Sequence, residues 1–218
     1  MALSLPISIY DFFIIIFIIA ALAVLQFFKG RKINLLLIEF TARKFEEILK
    51  PKDKEYQWIG LYVGYKARFN ILYKSLRKVE AVVTLIPRQS LLYFPIAMVT
   101  SRFDKLYLFF RYNRPFDGEA HVIRKYYYRL GLRRVIKGIE RMKVEDIKIN
   151  GKTFHLVYND AKLVEKLVRL IREMSKPHII NHIAIVPANN SIFLSAKLTP
   201  KTFEELLSKV YRFARSIA

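Results

Sequence analysis

The sequence predicts an α+β protein: a single N-terminal transmembrane helix, then a cytosolic domain of antiparallel strands packed with helices. Three observations predict it. An apolar run ends at Phe28 and meets Lys29-Gly30-Arg31-Lys32 at once. Short runs rich in branched and aromatic residues, bounded by turn residues, recur through the remainder. Amphipathic stretches between them start at capping residues or stop at proline.

The first element is the span. Phe12 to Phe28 carries no charge, and Gln26 is its one strongly polar side chain. Extended back over Leu3 to Tyr10, the segment gains a single charge, Asp11. About 20 apolar residues at roughly 1.5 Å rise match a hydrocarbon core. Phe12, Ile16, Ile19, Leu22, Leu25 and Phe28 are the anchoring side chains, and Phe and Ile on every face suit lipid better than one packed stripe. No Lys or Arg precedes the run, whereas Lys29, Arg31 and Lys32 follow it. Positive flanks stay inside, so the N-terminus is expected outside the cell membrane and the C-terminal domain in the cytoplasm. A cleaved signal peptide needs a positive n-region, a short apolar core and a small-residue cleavage site; here the n-region is missing, the core is long, and bulky Phe27-Phe28 precede the charges.

Residues 1–32 are thus anchor and basic junction, and 33–218 the domain. About 185 residues suffice for one real core, with a possible subdivision near Glu145. Ile33 to Lys50 reads as an amphipathic helix stopped by Pro51, either continuous with the anchor or turned along the surface. Strands follow at Trp58 to Val63, Arg68 to Tyr73 and Val79 to Ile86, with Gly64-Tyr65-Lys66 as turn or bulge. Ser90 to Val99 reads as a short helix interrupted at Pro95 and packed into the core. Its alternative is an apolar docking patch for a membrane partner. Lys105 to Tyr112 and Ala120 to Tyr127 read as strands, and Arg129 to Met142 as a helix. Ile147 to Ile149 and Phe154 to Tyr158 form a hairpin about Asn150-Gly151. Asn159 or Asp160 caps a helix to Met174. Ile179 to Val186 and Ile192 to Leu198 make a second hairpin. Thr199-Pro200 opens the last helix.

The chain holds 38 basic against 18 acidic side chains, a net charge of +20, and no cysteine. Disulfides and thiolate metal sites are excluded. Such an imbalance answers to an acidic partner, either anionic lipid headgroups or nucleic acid. The basic segment from Arg102 to Lys143 is the strongest soluble feature. Arg124, Lys125, Arg129, Arg133, Arg134, Lys137 and Arg141 are candidate RNA or ribosome contacts, with Tyr112, Tyr126, Tyr127 and Tyr128 interleaved for stacking. The alternative is a solvated basic helix with tyrosines packed in the sheet.

Catalytic chemistry has little footing. No glycine loop cradles phosphate, and no His-Glu-x-x-His occurs. His178 and His182, read on one strand, would lie on one face about 13 Å apart, too far to share a metal. The chain is read as a non-enzyme, with no cofactor and no metal.

The order of parts resembles the calumin family, the coiled-coil-domain membrane proteins of the PAT complex. The resemblance rests on the basic junction after one span, on Asn34 to Leu49 with Phe40 and Phe45, and on Tyr56-Gln57-Trp58. Arg88-Gln89-Ser90-Leu91-Leu92 opening a short helix to Arg102, strand Leu106 to Phe110, and strand Ile192 to Leu198 before Leu206-Leu207 and Val210-Tyr211 complete it. The resemblance implies a scaffold or intramembrane chaperone subunit beside the Sec translocon. It implies contact with ribosomal RNA, a small membrane partner resembling Asterix, and nascent membrane proteins as clients. The acidic lumenal domain and the coiled-coil tail of that family are missing, so calcium binding does not carry over. A short, Cys-free version fits an archaeal plasma membrane.

Overall fold

In the computed structural model, residues 8–128, 131–132 and 135–218 are described. Helix α1 runs without a break from Ile9 to Leu49, 41 residues. The anchor and the following amphipathic stretch are therefore one helix. Ser8 and Asp11 form a capping box at its start, and Lys50, in the left-handed conformation, ends it before Pro51. The apolar part is long enough to cross a membrane, and none of its most apolar stretch is buried. From Gly30 onward one seam turns inward: Gly30, Asn34, Ile38, Thr41, Phe45 and Leu49 are buried. The spacing of three and four residues keeps them on one face.

Among the described residues, nine strands form one antiparallel sheet in the order β1-β2-β3-β4-β9-β8-β5-β7-β6. They are β1 Asp53–Trp58, β2 Gly64–Tyr73, β3 Leu76–Thr84, β4 Lys105–Tyr112, β5 Ala120–Arg124, β6 Lys143–Ile149, β7 Lys152–Tyr158, β8 Ile180–Val186 and β9 Ser191–Lys197. Three further helices are α2 Tyr93–Thr100, α3 Ala161–Arg172 and α4 Pro200–Ile217. The inner half of α1 meets α4 and β2, and α3 lies over β5, β7 and β8. Alternation along β4 buries Leu106, Leu108, Phe110 and Tyr112 on the helix side. The core centres on Phe45, stacked with Phe69 and Phe203 at ring separations of 5.3 Å. Asp160 caps α3 through its carboxylate, and Asn150-Gly151, both at positive φ, turn β6 into β7.

Several sequence expectations need correction. The strand placed at Trp58 to Val63 ends at Trp58, and Gly64-Tyr65-Lys66 belong to β2 rather than to a turn. The turn falls at Gly60 and Tyr62, which hold the positive φ angles. Gly64 sits in the strand because a Cβ there would lie 2.0 Å from the Val83 carbonyl oxygen. Pro95 does not interrupt α2; at its third residue the missing N–H is one the helix would leave free anyway. The strand placed over Ala120 to Tyr127 stops at Arg124. The helix expected over Arg129 to Met142 is absent among the described residues. Gly131 and Gly138 take φ of +86° and +73°, and the segment closes in a tight turn, Ile139–Arg141. Its Ile136 and Ile139 instead cover Ile123 and Val157 on the sheet face opposite the helices. Their three-residue spacing is one that a helical stripe also shows.

Candidate functional site at the helix–domain junction

The most elaborated polar site of the described residues lies where the apolar part of α1 meets the domain. One face of α1 presents Gln26, Gly30 and Asn34, one turn apart. Opposite them runs the segment from Ile86 to Gln89 that leaves β3. Gln26 Nε2 donates to the Arg88 carbonyl at 2.6 Å. Asn34, fully buried, donates through Nδ2 to the carbonyls of Tyr62 at 2.8 Å and Ile86 at 3.0 Å. Its Oδ1 accepts from Arg88 Nη1 at 2.9 Å. Arg88 then forks onto Asp104, at 3.0 and 2.7 Å, and Asp104 Oδ1 also accepts from the Ile86 N–H at 2.8 Å. Gln89 reaches the Leu61 carbonyl at 2.6 Å, and the Arg31 guanidinium stacks 4.5 Å over Tyr62. Carbonyls in the turn and in the segment beyond β3, wholly or partly withdrawn from water, need donors, and these side chains supply them. Gly30 lets the backbones meet: a Cβ there would lie 2.1 Å from the Arg88 carbonyl oxygen.

This clasp also places α2, whose start follows Arg88 by five residues. Only Ala97 of α2 is buried. Leu92 and Val99 are 82% and 71% exposed, and Tyr93, Ile96 and Met98 are also exposed, so the expectation of core packing is overturned. Between α2 and the ends of β3 and β4 lies a cleft of about 410 Å³. Ile59, Val63, Ile86, Tyr93 and Phe103 line it, with Lys105 at its polar side.

Phe12, Ile16, Ile19, Leu22, Leu25 and Phe28, the side chains expected to anchor the chain, are all exposed around α1. Of the candidate RNA contacts, Lys137 and Arg141 are exposed. Arg124 ends β5 and donates to the His178 carbonyl at 3.0 Å, while Lys125 lies 3.5 Å from Asp146. Arg129, Arg133 and Arg134 fall outside the described residues. The tyrosines do not stand together as a stacking platform. Tyr112 is buried and donates to the Ala214 carbonyl, and Tyr127 and Tyr128 turn inward, leaving Tyr126 exposed.

Those inward tyrosines reveal a polar network that the sequence did not announce. Pairing of β5 with β8 brings His121 Nδ1 to 3.1 Å from His182 Nε2. Tyr128 Oη lies 2.7 Å from His182 Nδ1, and Glu119 Oε1 2.8 Å from His121 Nε2. One neutral arrangement satisfies every atom: Tyr128 donates to His182, His182 to His121, and His121 to Glu119. Burial holds both imidazoles below their ordinary pKa, His182 well below it, where His121 adds its repulsion; Glu119 partly offsets the shift of His121. His178 sits not on the strand but in a tight turn before it. Among the described residues no group of three or more His, Cys, Asp or Glu is placed to hold a metal ion. Comparison with protein-family models and with curated proteins finds no match.

Proposed function

We propose that this protein is a single-span scaffold of the cell membrane, with its N-terminus outside and its basic domain in the cytoplasm. In this reading the domain docks a large polyanion, the ribosome beside a protein-conducting channel, as the calumin resemblance implies. The anchor borders the space where nascent membrane proteins emerge, with or without a small Asterix-like subunit. The single observation that carries the reading is the unbroken α1 helix, clasped at Gln26, Gly30 and Asn34. A domain joined to its span by a rigid helix, not a flexible linker, sits at a fixed height and angle, as positioning requires. The net charge of +20 supplies long-range attraction to RNA. Its role is positional, with no chemical step assigned.

The test is recovery of ribosomes and channel subunits with the tagged full chain from mild detergent extracts. High salt should release the ribosomes. Reversal of the exposed Lys137, Arg141 and Lys143 to Glu should weaken recovery while the domain stays folded. Recovery unaffected by salt and by reversal sinks the ribosome reading. A second reading, a lipid-seated module without a channel role, gains support from the cations gathered at the sheet end nearest the clasp. It predicts that no ribosome is recovered at all.

A further inference from the structure

We infer that the domain touches the bilayer at a second place: helix α2 lies in the cytoplasmic leaflet interface, flanked by a cationic rim that meets anionic lipid headgroups. The inference rests on the membrane reading of α1 and not on the ribosome. Three observations carry it.

The first is depth. Gln26, which holds the Arg88 carbonyl, lies two residues before the end of the uncharged run at Phe28. At about 1.5 Å per residue, Arg88 is level with the last apolar turn of the span. The chain then enters α2 directly, with the Phe94 N–H bonded back to the Ser90 carbonyl. The second is composition. Leu92, Tyr93, Ile96, Met98 and Val99 form an exposed apolar surface, and Leu61, on the neighbouring turn, is 75% exposed. An apolar surface continuous with a transmembrane segment is covered by the same solvent as that segment.

The third is charge. Lys105 follows Asp104, the partner of Arg88, and pairs across the sheet with Lys197. Lys197 in turn neighbours Arg124 and Lys152; burial, and after it these two charges, depress its pKa. The same end of the sheet carries Lys176: His178 feels Lys197, Lys176, Arg124 and Lys152 together. No acidic side chain is paired to Lys197, Lys152 or Lys176 among the described residues. Self-repelling cations at the level of the headgroups match an anionic surface.

The chain has no cysteine, so single labels can be placed cleanly. The full chain, carrying an environment-sensitive fluorophore on Val99→Cys, Leu92→Cys, Ile16→Cys or Lys74→Cys, is reconstituted in nanodiscs. One set is phosphatidylcholine alone, the other phosphatidylcholine with phosphatidylglycerol. The labels at 92 and 99 should be quenched by spin-labelled lipid and shielded from aqueous iodide, more strongly with phosphatidylglycerol. The label at 16 should be shielded in both sets, and that at 74 open to iodide. Iodide access at 92 and 99 with the label at 16 still in lipid overturns the second contact alone. Iodide access at 16 overturns the membrane reading beneath it. Shielding of 92 and 99 from both quenchers assigns the surface to a second copy of the chain and likewise overturns the proposal. Equal quenching in the two lipid compositions removes the role of the cationic rim.

Discussion

Gly30→Ala isolates the clasp, because its two physical effects have opposite signs. In an open helix interior the change would stabilise by about 1 kcal/mol, since alanine loses less backbone entropy. Here the new methyl carbon would stand 2.1 Å from the Arg88 carbonyl oxygen, 2.2 Å from its carbon and 2.4 Å from the Gln89 nitrogen. Relief requires the Ile86–Gln89 segment to withdraw by roughly 1 Å or more, since side-chain carbons essentially never approach so closely. That movement breaks the bond from Gln26 at 2.6 Å and stretches those from Asn34 to Ile86 and from Asp104 to the Ile86 N–H. Two or three buried bonds at about 1 kcal/mol each exceed the propensity gain, and carbonyls left without donors add to the loss. The net expectation is destabilisation of roughly 1–3 kcal/mol. Chemical denaturation of the full chain in detergent, followed by the fluorescence of Trp58, the last residue of β1 before the Gly60–Tyr62 turn, reads it. A Gly30→Ala protein at least as stable as the natural one would refute the close-packing argument.

Further outcomes follow from the same structure. Asp104→Ala should cost roughly 3 kcal/mol, because it strands the half-buried Arg88 and leaves the Ile86 N–H unpaired; thermal unfolding checks this. Phe45→Ala should cost roughly 3–5 kcal/mol by opening a cavity between Phe69 and Phe203, read by denaturant titration. Acid should destabilise through the His121–His182 pair. Burial lowers both pKa values in the fold, so below about pH 6.5 the unfolded chain binds more protons. Stability is constant above that pH from these groups and falls by up to about 1.4 kcal/mol per unit per histidine as pH drops toward the folded values. His121→Gln with His182→Gln should flatten the profile between pH 6.5 and 5, and an unchanged profile contradicts the assignment.

Local pattern carried much of the fold. The Asn150-Gly151 hairpin, the cap at Asn159 or Asp160 and the Thr199-Pro200 start of α4 each rest on neighbouring residues, and the structure has the turn, the cap at Asp160 and the helix start at Pro200. What local pattern missed was decided at a distance. Gly30 reads only as part of a basic junction, yet it is buried because the backbone after β3 must come close. Gly64 reads as a turn or a bulge, yet it lies within a paired strand, where the Val83 carbonyl leaves no room for a Cβ. Ile136 and Ile139 read as a helical stripe, yet β5 and β7 offer them a sheet face to cover. The histidine pair spans 61 residues and exists only through the pairing of β5 with β8. Of the candidate site, the junction was marked by its charges. Its function as a clasp depends on Asn34, Arg88 and Asp104, whose partners no spacing rule links. The apolar run of α2 was visible in sequence, but its exposure was not, since a core helix has the same composition.

The account turns on a domain fixed to its span through one rigid helix. Pulsed electron paramagnetic resonance on the full chain in nanodiscs, with spin labels at Leu22→Cys and Lys66→Cys, measures this directly. A single narrow distance distribution that broadens when Asn34→Ala is added is the result expected. A distribution already broad in the natural background, or one indifferent to Asn34→Ala, would mean that the domain swings freely beneath its tether.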